Sequence, residues 1–127
     1  MGRRYLTLPE AEAALNRGKS IECFIGSCTR NNEIGIRWLT VSISTAGLSV
    51  RLFESADIGD QNFTDVYEFG PLDPDLEFED AKEAVDVPDF PAFVSFIEER
   101  FPGASSRLVN QFLVQDEYAE FIARGRK

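Results

Sequence analysis

Histidine is absent from this chain of 127 residues. The sequence therefore contains no Ser-His or Cys-His nucleophilic pair, no histidine general base and no histidine-bound metal site. It also lacks the phosphate-binding glycine-lysine loop and the G-x-G-x-x-G sequence that binds dinucleotides. Carboxylate acid–base chemistry stays open because 22 acidic residues are present, but their number identifies no catalytic pair. We expect no enzyme activity, no cofactor and no metal.

Cysteine is scarce as well, with only Cys23 and Cys28 in the chain. Two cysteines alone cannot complete a structural zinc site, and a reducing compartment would keep both as thiols. Small buried hydrophobic side chains are the simplest interpretation of both residues.

Long apolar runs are missing too. No stretch approaches the ~18 consecutive apolar residues of a membrane-spanning helix. The first residues include arginines but no apolar segment, which argues against a secretory signal peptide. We expect a soluble cytoplasmic protein without a membrane partner.

What the chain does contain is enough apolar material for one core. Hydrophobic residues make up 43% of the sequence and include 11 phenylalanines, so disorder throughout is excluded. The length predicts a single globular α+β domain over residues 1–127. The net charge of −9 disfavours nucleic acids as partners and favours basic proteins.

The negative charge is concentrated in residues 71–89. This segment has eight carboxylates and one lysine, so it carries −7 of the net −9. An extended segment with this spacing would show a row of carboxylates on one side and an apolar strip on the other. The residues predicted to bind a partner are Asp73, Asp75, Glu77, Glu79, Asp80 and Glu83.

Several interpretations of this segment compete. Acidic residues and prolines suit the edge of a sheet, where like charges discourage pairing with another chain. Carboxylates also offer a docking surface for a basic protein, or imitate the phosphates of a nucleic acid. Calcium binding is disfavoured because Phe78 replaces the turn glycine and Ala84 the closing glutamate of an EF-hand loop.

Hydrophobic periodicity predicts a helix that starts with a Thr7–Glu10 capping box, a hairpin across residues 45–47, and a helix capped by Asp89. Strands are expected over residues 20–27, 34–45, 48–53 and 63–69, and a helical turn over residues 80–85. In the second of these strands the apolar residues stand at even positions up to Trp38 and at odd positions from Leu39 onward. This change of face indicates either a bulge or a strand buried on both faces. Trp38 is expected to pack in the core.

The final third is less clear. Residues 105–124 fit one helix, two helices, or a strand followed by a helix, and Asp116 is a candidate cap for a last helix. Overall we expect an α+β fold: a mainly antiparallel sheet of about four to five strands, with an N-terminal helix and two or three C-terminal helices packed on one face.

These features predict a small acidic protein-binding module that docks onto and shields a basic partner. Bacterial immunity proteins, which neutralise toxins, are of this physical type: small, acidic and free of catalytic motifs. The alternative is a small-ligand-binding or carboxylate-dependent enzyme domain, with a pocket between the sheet and the helices.

Overall fold

A computed structural model of the chain describes residues 4–78 and 80–126. Within these residues it contains a five-stranded sheet and three α-helices, and the strand order is β4-β3-β2-β1-β5 with antiparallel neighbours throughout. The predicted α+β class is confirmed. In chain order the elements are α1 (Leu8–Asn16), β1 (Ile21–Arg30), β2 (Glu33–Ser44), β3 (Gly47–Ala56), β4 (Glu83–Val87), α2 (Phe90–Arg100), β5 (Leu108–Asn110) and α3 (Val114–Ala123).

The first helix begins with the capping box that its sequence predicts. The Thr7 hydroxyl accepts a hydrogen bond from the Glu10 amide (3.2 Å), and the Glu10 carboxylate accepts one from the Thr7 amide (2.8 Å). These bonds satisfy amides that no helical carbonyl can reach. Ala11, Ala14 and Leu15 face the sheet and are buried, so α1 contributes to the core.

Two tight hairpins build the centre of the sheet. Between β1 and β2, Asn31 and Asn32 both have positive φ (52° and 69°), as a type I′ hairpin turn requires. Between β2 and β3 the ladder closes with Ser44 opposite Gly47, which confirms the predicted hairpin. Because both connections are short, these three strands lie side by side in chain order.

Both faces of the central strands are buried. Successive residues of a strand point to opposite faces, so Trp38 and Leu39, 3% and 0% exposed, belong to different clusters. On the first face, Leu39 packs with α1 and α2. On the second face, Trp38 packs with α3. The predicted arrangement on one face thus holds for α1 and α2, and α3 lies on the opposite side.

In β2 the apolar residues change from one face to the other at Trp38 and Leu39 because both faces are buried. This is the second of the two predicted explanations. The pairing of β2 with β3 runs unbroken from Gly35 to Ser44. The register shift of the sheet lies in β1 instead, between Phe24 and Gly26. Trp38 packs in the core, as predicted.

Both cysteines are buried free thiols, which agrees with their interpretation as small hydrophobic residues. Burial raises the pKa of Cys23 to about 12 and also raises that of Cys28. Each thiol is therefore neutral at physiological pH and packs as an apolar group.

Residues 63–69 do not form the strand that their aromatic spacing predicts. They contain a short 3₁₀ turn, Val66–Glu68, in which the Asp65 carboxylate accepts a hydrogen bond from the Tyr67 amide (3.1 Å). A side chain that bonds to the nearby backbone competes with a strand ladder. The turn also brings the Tyr67 ring edge-on to Trp38, with centroids 5.1 Å apart. The strand prediction is wrong because this local bonding and packing prevail.

The helical turn predicted over residues 80–85 is also wrong, because β4 begins at Glu83 and occupies the second half of this stretch. Its residues pair with β3, and Val85 lies opposite Val50. A short segment has only a weak helical preference, which the strand pairing outweighs. The acidic segment therefore supplies an edge strand of the sheet.

The last third forms a strand followed by a helix, one of the arrangements that the sequence leaves open. β5 pairs with the start of β1, and α3 begins at Val114. Asp116 lies within the first turn of α3 and does not cap it, contrary to expectation. The predicted cap of α2 is confirmed, since the Asp89 carboxylate accepts a hydrogen bond from the Ala92 amide (2.9 Å).

Candidate functional site

Two hydrogen bonds attach the chain to β3 where it enters the acidic segment. The Ala56 amide donates to the Gly70 carbonyl (2.9 Å), and the Leu72 amide donates to the Glu54 carbonyl (3.0 Å). After residues 73–82 the chain returns to the same strand edge as β4. Residues 73–82, named the acidic loop below, therefore leave and rejoin a single strand.

The acidic loop is turned, and the row of carboxylates expected of an extended segment is not formed. The Leu76 amide donates to the Asp73 carbonyl (3.1 Å), and the Asp80 amide donates to the Glu77 carbonyl (3.0 Å). The Asp73 carboxylate also accepts a hydrogen bond from the Asp75 amide (2.9 Å). Aspartate stabilises turns through such local bonds, which the alternation of residue types does not reveal.

Asp73 is an internal ion-pairing residue of this loop. It is 6% exposed, and one carboxylate oxygen lies 2.7 Å from Lys82 Nζ and 3.2 Å from an Arg30 guanidinium nitrogen. The hydrogen bond from Lys82 is the main cause that lowers the pKa of Asp73 below its ordinary value. Its charge holds the loop against the β1–β2 hairpin instead of facing solvent.

The other predicted residues divide into two groups. Glu83 pairs with an Arg100 guanidinium nitrogen at 2.7 Å, and the hydrogen bond from Arg100 is the main cause that lowers its pKa. Asp75, Glu77 and Asp80 are exposed on the acidic loop. Glu79 lies outside the described residues. Thus three of the six predicted residues share an exposed surface.

A cleft of about 290 Å³ opens between the second face of the sheet and the acidic loop. Its aromatic lining residues are Trp38, Phe53, Tyr67, Phe69 and Phe78. Its polar lining residues include Thr40, Arg51, Glu54, Ser55 and Asp80. The cleft thus lies between sheet and loop, whereas the sequence placed a possible pocket between sheet and helices.

Strand pairing builds the floor of the cleft. Trp38 lies opposite Phe53, and Thr40 opposite Arg51, so all four side chains project from one face. The two rings stack with centroids 4.3 Å apart and planes at 13°. The Trp38 indole nitrogen donates to the Ser55 hydroxyl (3.2 Å), which fixes the ring at the bottom of the cleft.

The walls come from less regular parts of the chain. Tyr67 belongs to the 3₁₀ turn, and its hydroxyl is buried with no hydrogen-bond partner among the described residues. Phe78 and Asp80 belong to the acidic loop. The Phe78 side chain is 53% exposed, an unusual state for a large apolar residue beside a cleft.

Charges of both signs line the cleft. The Arg51 guanidinium carbon lies 5.4 Å from the centroid of the Phe53 ring, within the range of a cation–π contact. The Asp80 carboxylate accepts a hydrogen bond from the Glu77 amide (2.9 Å). Glu54 follows Phe53 in β3, so its side chain points to the other face of the sheet, where it accepts a hydrogen bond from Arg37 Nε (2.9 Å). One basic and one acidic side chain therefore line an otherwise aromatic space.

Glu22 is a buried carboxyl group that no sequence pattern indicates. Its alternation with Ile21 and Cys23 is typical of a polar strand position facing solvent, but it is 0% exposed. One Glu22 oxygen accepts a hydrogen bond from the Val114 amide (3.3 Å). Glu22 therefore caps the start of α3, where the N-cap residue, Leu113, makes no side-chain hydrogen bond. Burial is the main cause that raises the pKa of Glu22 to about 7. No sequence-local signal joins residues this far apart.

No prediction from the sequence placed Arg51, Phe53 or Phe78 beside a pocket. The predicted hairpin, with side chains alternating between its two faces, is enough to place Arg51 and Phe53 on the same face as Trp38. The position of Phe78 depends on how the acidic loop folds, for which the sequence holds no periodic signal.

Within residues 4–78 and 80–126, no helix is long and apolar enough to cross a membrane. The same residues contain no cluster of three His, Cys, Asp or Glu side chains suited to a metal ion. No family model, curated protein or solved structure matches this chain.

Proposed function

We propose that this protein is a small binding module whose acidic loop and adjoining cleft dock onto a basic surface of another protein. One observation carries the proposal. The exposed Phe78 side chain and the exposed carboxylates of Asp75, Glu77 and Asp80 lie on one short loop at the mouth of an aromatic cleft.

This combination supports recognition because each part has a different role. An aromatic side chain that becomes buried in an interface contributes much of the binding free energy. Carboxylates around it remain partly solvated, speed the encounter with a basic surface and orient it. Covering that surface would neutralise the partner, in the manner of an immunity protein. The proposal involves binding without catalysis.

A second candidate function is the binding of a small molecule in the cleft. Its volume of about 290 Å³ lies near the lower limit of typical ligand pockets, and the buried Tyr67 hydroxyl lacks a hydrogen-bond partner among the described residues. Asp80 would be the carboxylate available to such a ligand, or to a carboxylate-dependent reaction. Asp75 and Glu77 do not line the cleft, so they separate the two candidates.

The proposed function is tested by capturing proteins from a lysate of the source cells on the immobilised chain at low and high salt. We expect to capture a specific basic protein, and we expect its recovery to fall when Asp75 is changed to Asn and Glu77 to Gln together. Removing two exposed charges from a rim should weaken binding about three- to tenfold at low salt.

The matched control changes Glu33 and Glu99 to Gln. It removes two exposed carboxylates from other parts of the surface and keeps the net charge equal to that of the loop variant. Equal retention of the partner by wild type, loop variant and control would refute the role of the acidic loop. Capture of no specific protein by any of the three would favour the second candidate.

A further inference from the structure

We infer that the cleft receives an arginine side chain of the basic partner, an inference that rests on the proposed function. The cleft offers what a guanidinium group requires: flat aromatic surfaces for stacking and a carboxylate, Asp80, for hydrogen bonding. It is also small. A space of about 290 Å³ suits one long side chain better than a folded segment.

The aromatic wall already holds a guanidinium group. Arg51 of the same chain lies against the Phe53 ring at 5.4 Å, on the side of the sheet where the cleft opens. Arginine is favoured at such sites because its planar cation is weakly hydrated and stacks on rings. This contact shows the chemistry that the wall accepts.

Carboxylates at the opening provide complementary charge. Asp80 lines the cleft and accepts one hydrogen bond from within the chain, and a carboxylate has about four acceptor positions, so it retains the capacity to bind a second donor. The exposed carboxylates of Asp75 and Glu77 lie on the same loop. Together these three acids outnumber Arg51, so this region favours a cation.

Phe78 completes the site from the side of the acidic loop. The exposed ring lies at the opening, where it would cover a bound guanidinium group and lose contact with water. Burying exposed apolar area in this way stabilises the complex. Lysine would gain less, because its compact ammonium group is strongly hydrated and cannot stack.

Trp38 is the chain's single tryptophan and lies in the cleft, so its fluorescence reports occupancy directly. The probe is a blocked nine-residue glycine-serine peptide with three arginines, compared with matched lysine and citrulline peptides. We expect a saturable change in Trp38 emission with the arginine peptide, a weaker response with lysine, and none with citrulline, which has the shape without the charge.

Variants of the cleft sharpen the test. Phe78→Ala and Asp80→Asn should each weaken binding of the arginine peptide roughly three- to tenfold. Arg51→Gln should strengthen it, because it removes a like charge from the site. Ile34→Ala is the control for loss of an exposed apolar side chain, since Ile34 is 64% exposed and does not line the cleft.

The outcomes separate this inference from the proposed function. Equal affinity for arginine and lysine peptides, with no effect of Phe78→Ala, would leave only general attraction to the acidic loop and overturn the inference. Loss of binding in Arg51→Gln would also overturn it, because the cleft would then recognise an anion. If the cellular partner is lost with the loop variant yet retained by Phe78→Ala, the proposed function stands and the inference falls.

Discussion

Gly59 shows how closely one residue of this fold is enclosed. Its amide donates to the Tyr118 hydroxyl (3.0 Å), and that hydroxyl also donates a short hydrogen bond to Asp57. Arg126 continues the network, with its Nε 2.9 Å from an Asp57 oxygen and a second nitrogen 2.7 Å from the Gly59 carbonyl. The loop after β3 is thereby fixed to α3 and to the residues that follow it.

A methyl group at this position has no room. A Cβ atom on Gly59 would lie 2.4 Å from the Phe63 carbonyl oxygen and 2.6 Å from the Tyr118 ring. We expect Gly59→Ala to lower the free energy of unfolding by about 1–3 kcal/mol, measured by urea denaturation. The matched control is Gly70→Ala, where the nearest atoms are 4.0 Å away. Equal stability losses in both variants would contradict the steric explanation.

At the scale of elements, the acidic loop depends on Asp73 for its position. This carboxylate contacts Lys82 within the loop and Arg30 at the end of β1. The loop also forms one wall of the cleft, so its position decides where Phe78 and Asp80 lie. An internal ion pair thus supports a surface whose other carboxylates face solvent.

Changing Asp73 to Asn should loosen the loop while the sheet stays intact. The variant loses the charge that attracts both cations, so we expect faster amide hydrogen exchange across residues 73–82 and unchanged exchange in β2. Asp75→Asn is the control, because its side chain is exposed. Uniformly faster exchange throughout the protein would indicate general destabilisation instead, and unchanged exchange in the loop would show that the ion pair is not what holds it.

The elements that the sequence predicts correctly have signals within a few residues. The Thr7–Glu10 capping box, the Asp89 cap and the β2–β3 hairpin are of this kind. The strand prediction for residues 63–69 fails because the Asp65–Tyr67 hydrogen bond and packing against Trp38 outweigh the aromatic spacing. The helical prediction at β4 fails because pairing with β3, which is distant in sequence, decides its conformation. The cap of α3 comes from Glu22, which no local pattern connects to Val114.

The candidate site was predictable only in part for the same reason. Composition alone located the acidic segment, and the structure leaves Asp75, Glu77 and Asp80 exposed within it. The internal use of Asp73 depends on Arg30, which is distant in sequence and adjacent in the fold. Charge density identifies a segment, whereas tertiary contacts decide which of its charges reach solvent.

For the whole molecule, buried and paired carboxyl groups act on stability in opposite directions as pH changes. Glu22 has a pKa of about 7 in the folded protein against an ordinary value of 4.5. The native state therefore binds more protons than the unfolded state between these values, so stability falls as pH rises through this window. Asp73, Glu83 and Glu98 have lowered pKa values, so their contributions are lost as pH falls below about 4.

We therefore expect the stability of the wild-type protein to be greatest at about pH 5 and to decline toward about pH 8. Glu22→Gln should remove most of this decline, because each pKa unit of difference between the folded and unfolded protein changes the free energy of unfolding by about 1.4 kcal/mol. Urea denaturation of dilute protein across this pH range measures it. Glu12→Gln, at an exposed position of α1, is the control. Parallel profiles for all three proteins would show that Glu22 does not govern the slope.

The double attachment of residues 73–82 to one strand has a consequence for how binding specificity can change. Both anchoring points belong to β3, and the five-stranded order is complete without the intervening residues. The segment can therefore be exchanged as a cassette, shortened or rewritten, with the same framework underneath. New recognition properties would then arise from about ten positions while the hydrophobic interior is inherited unaltered.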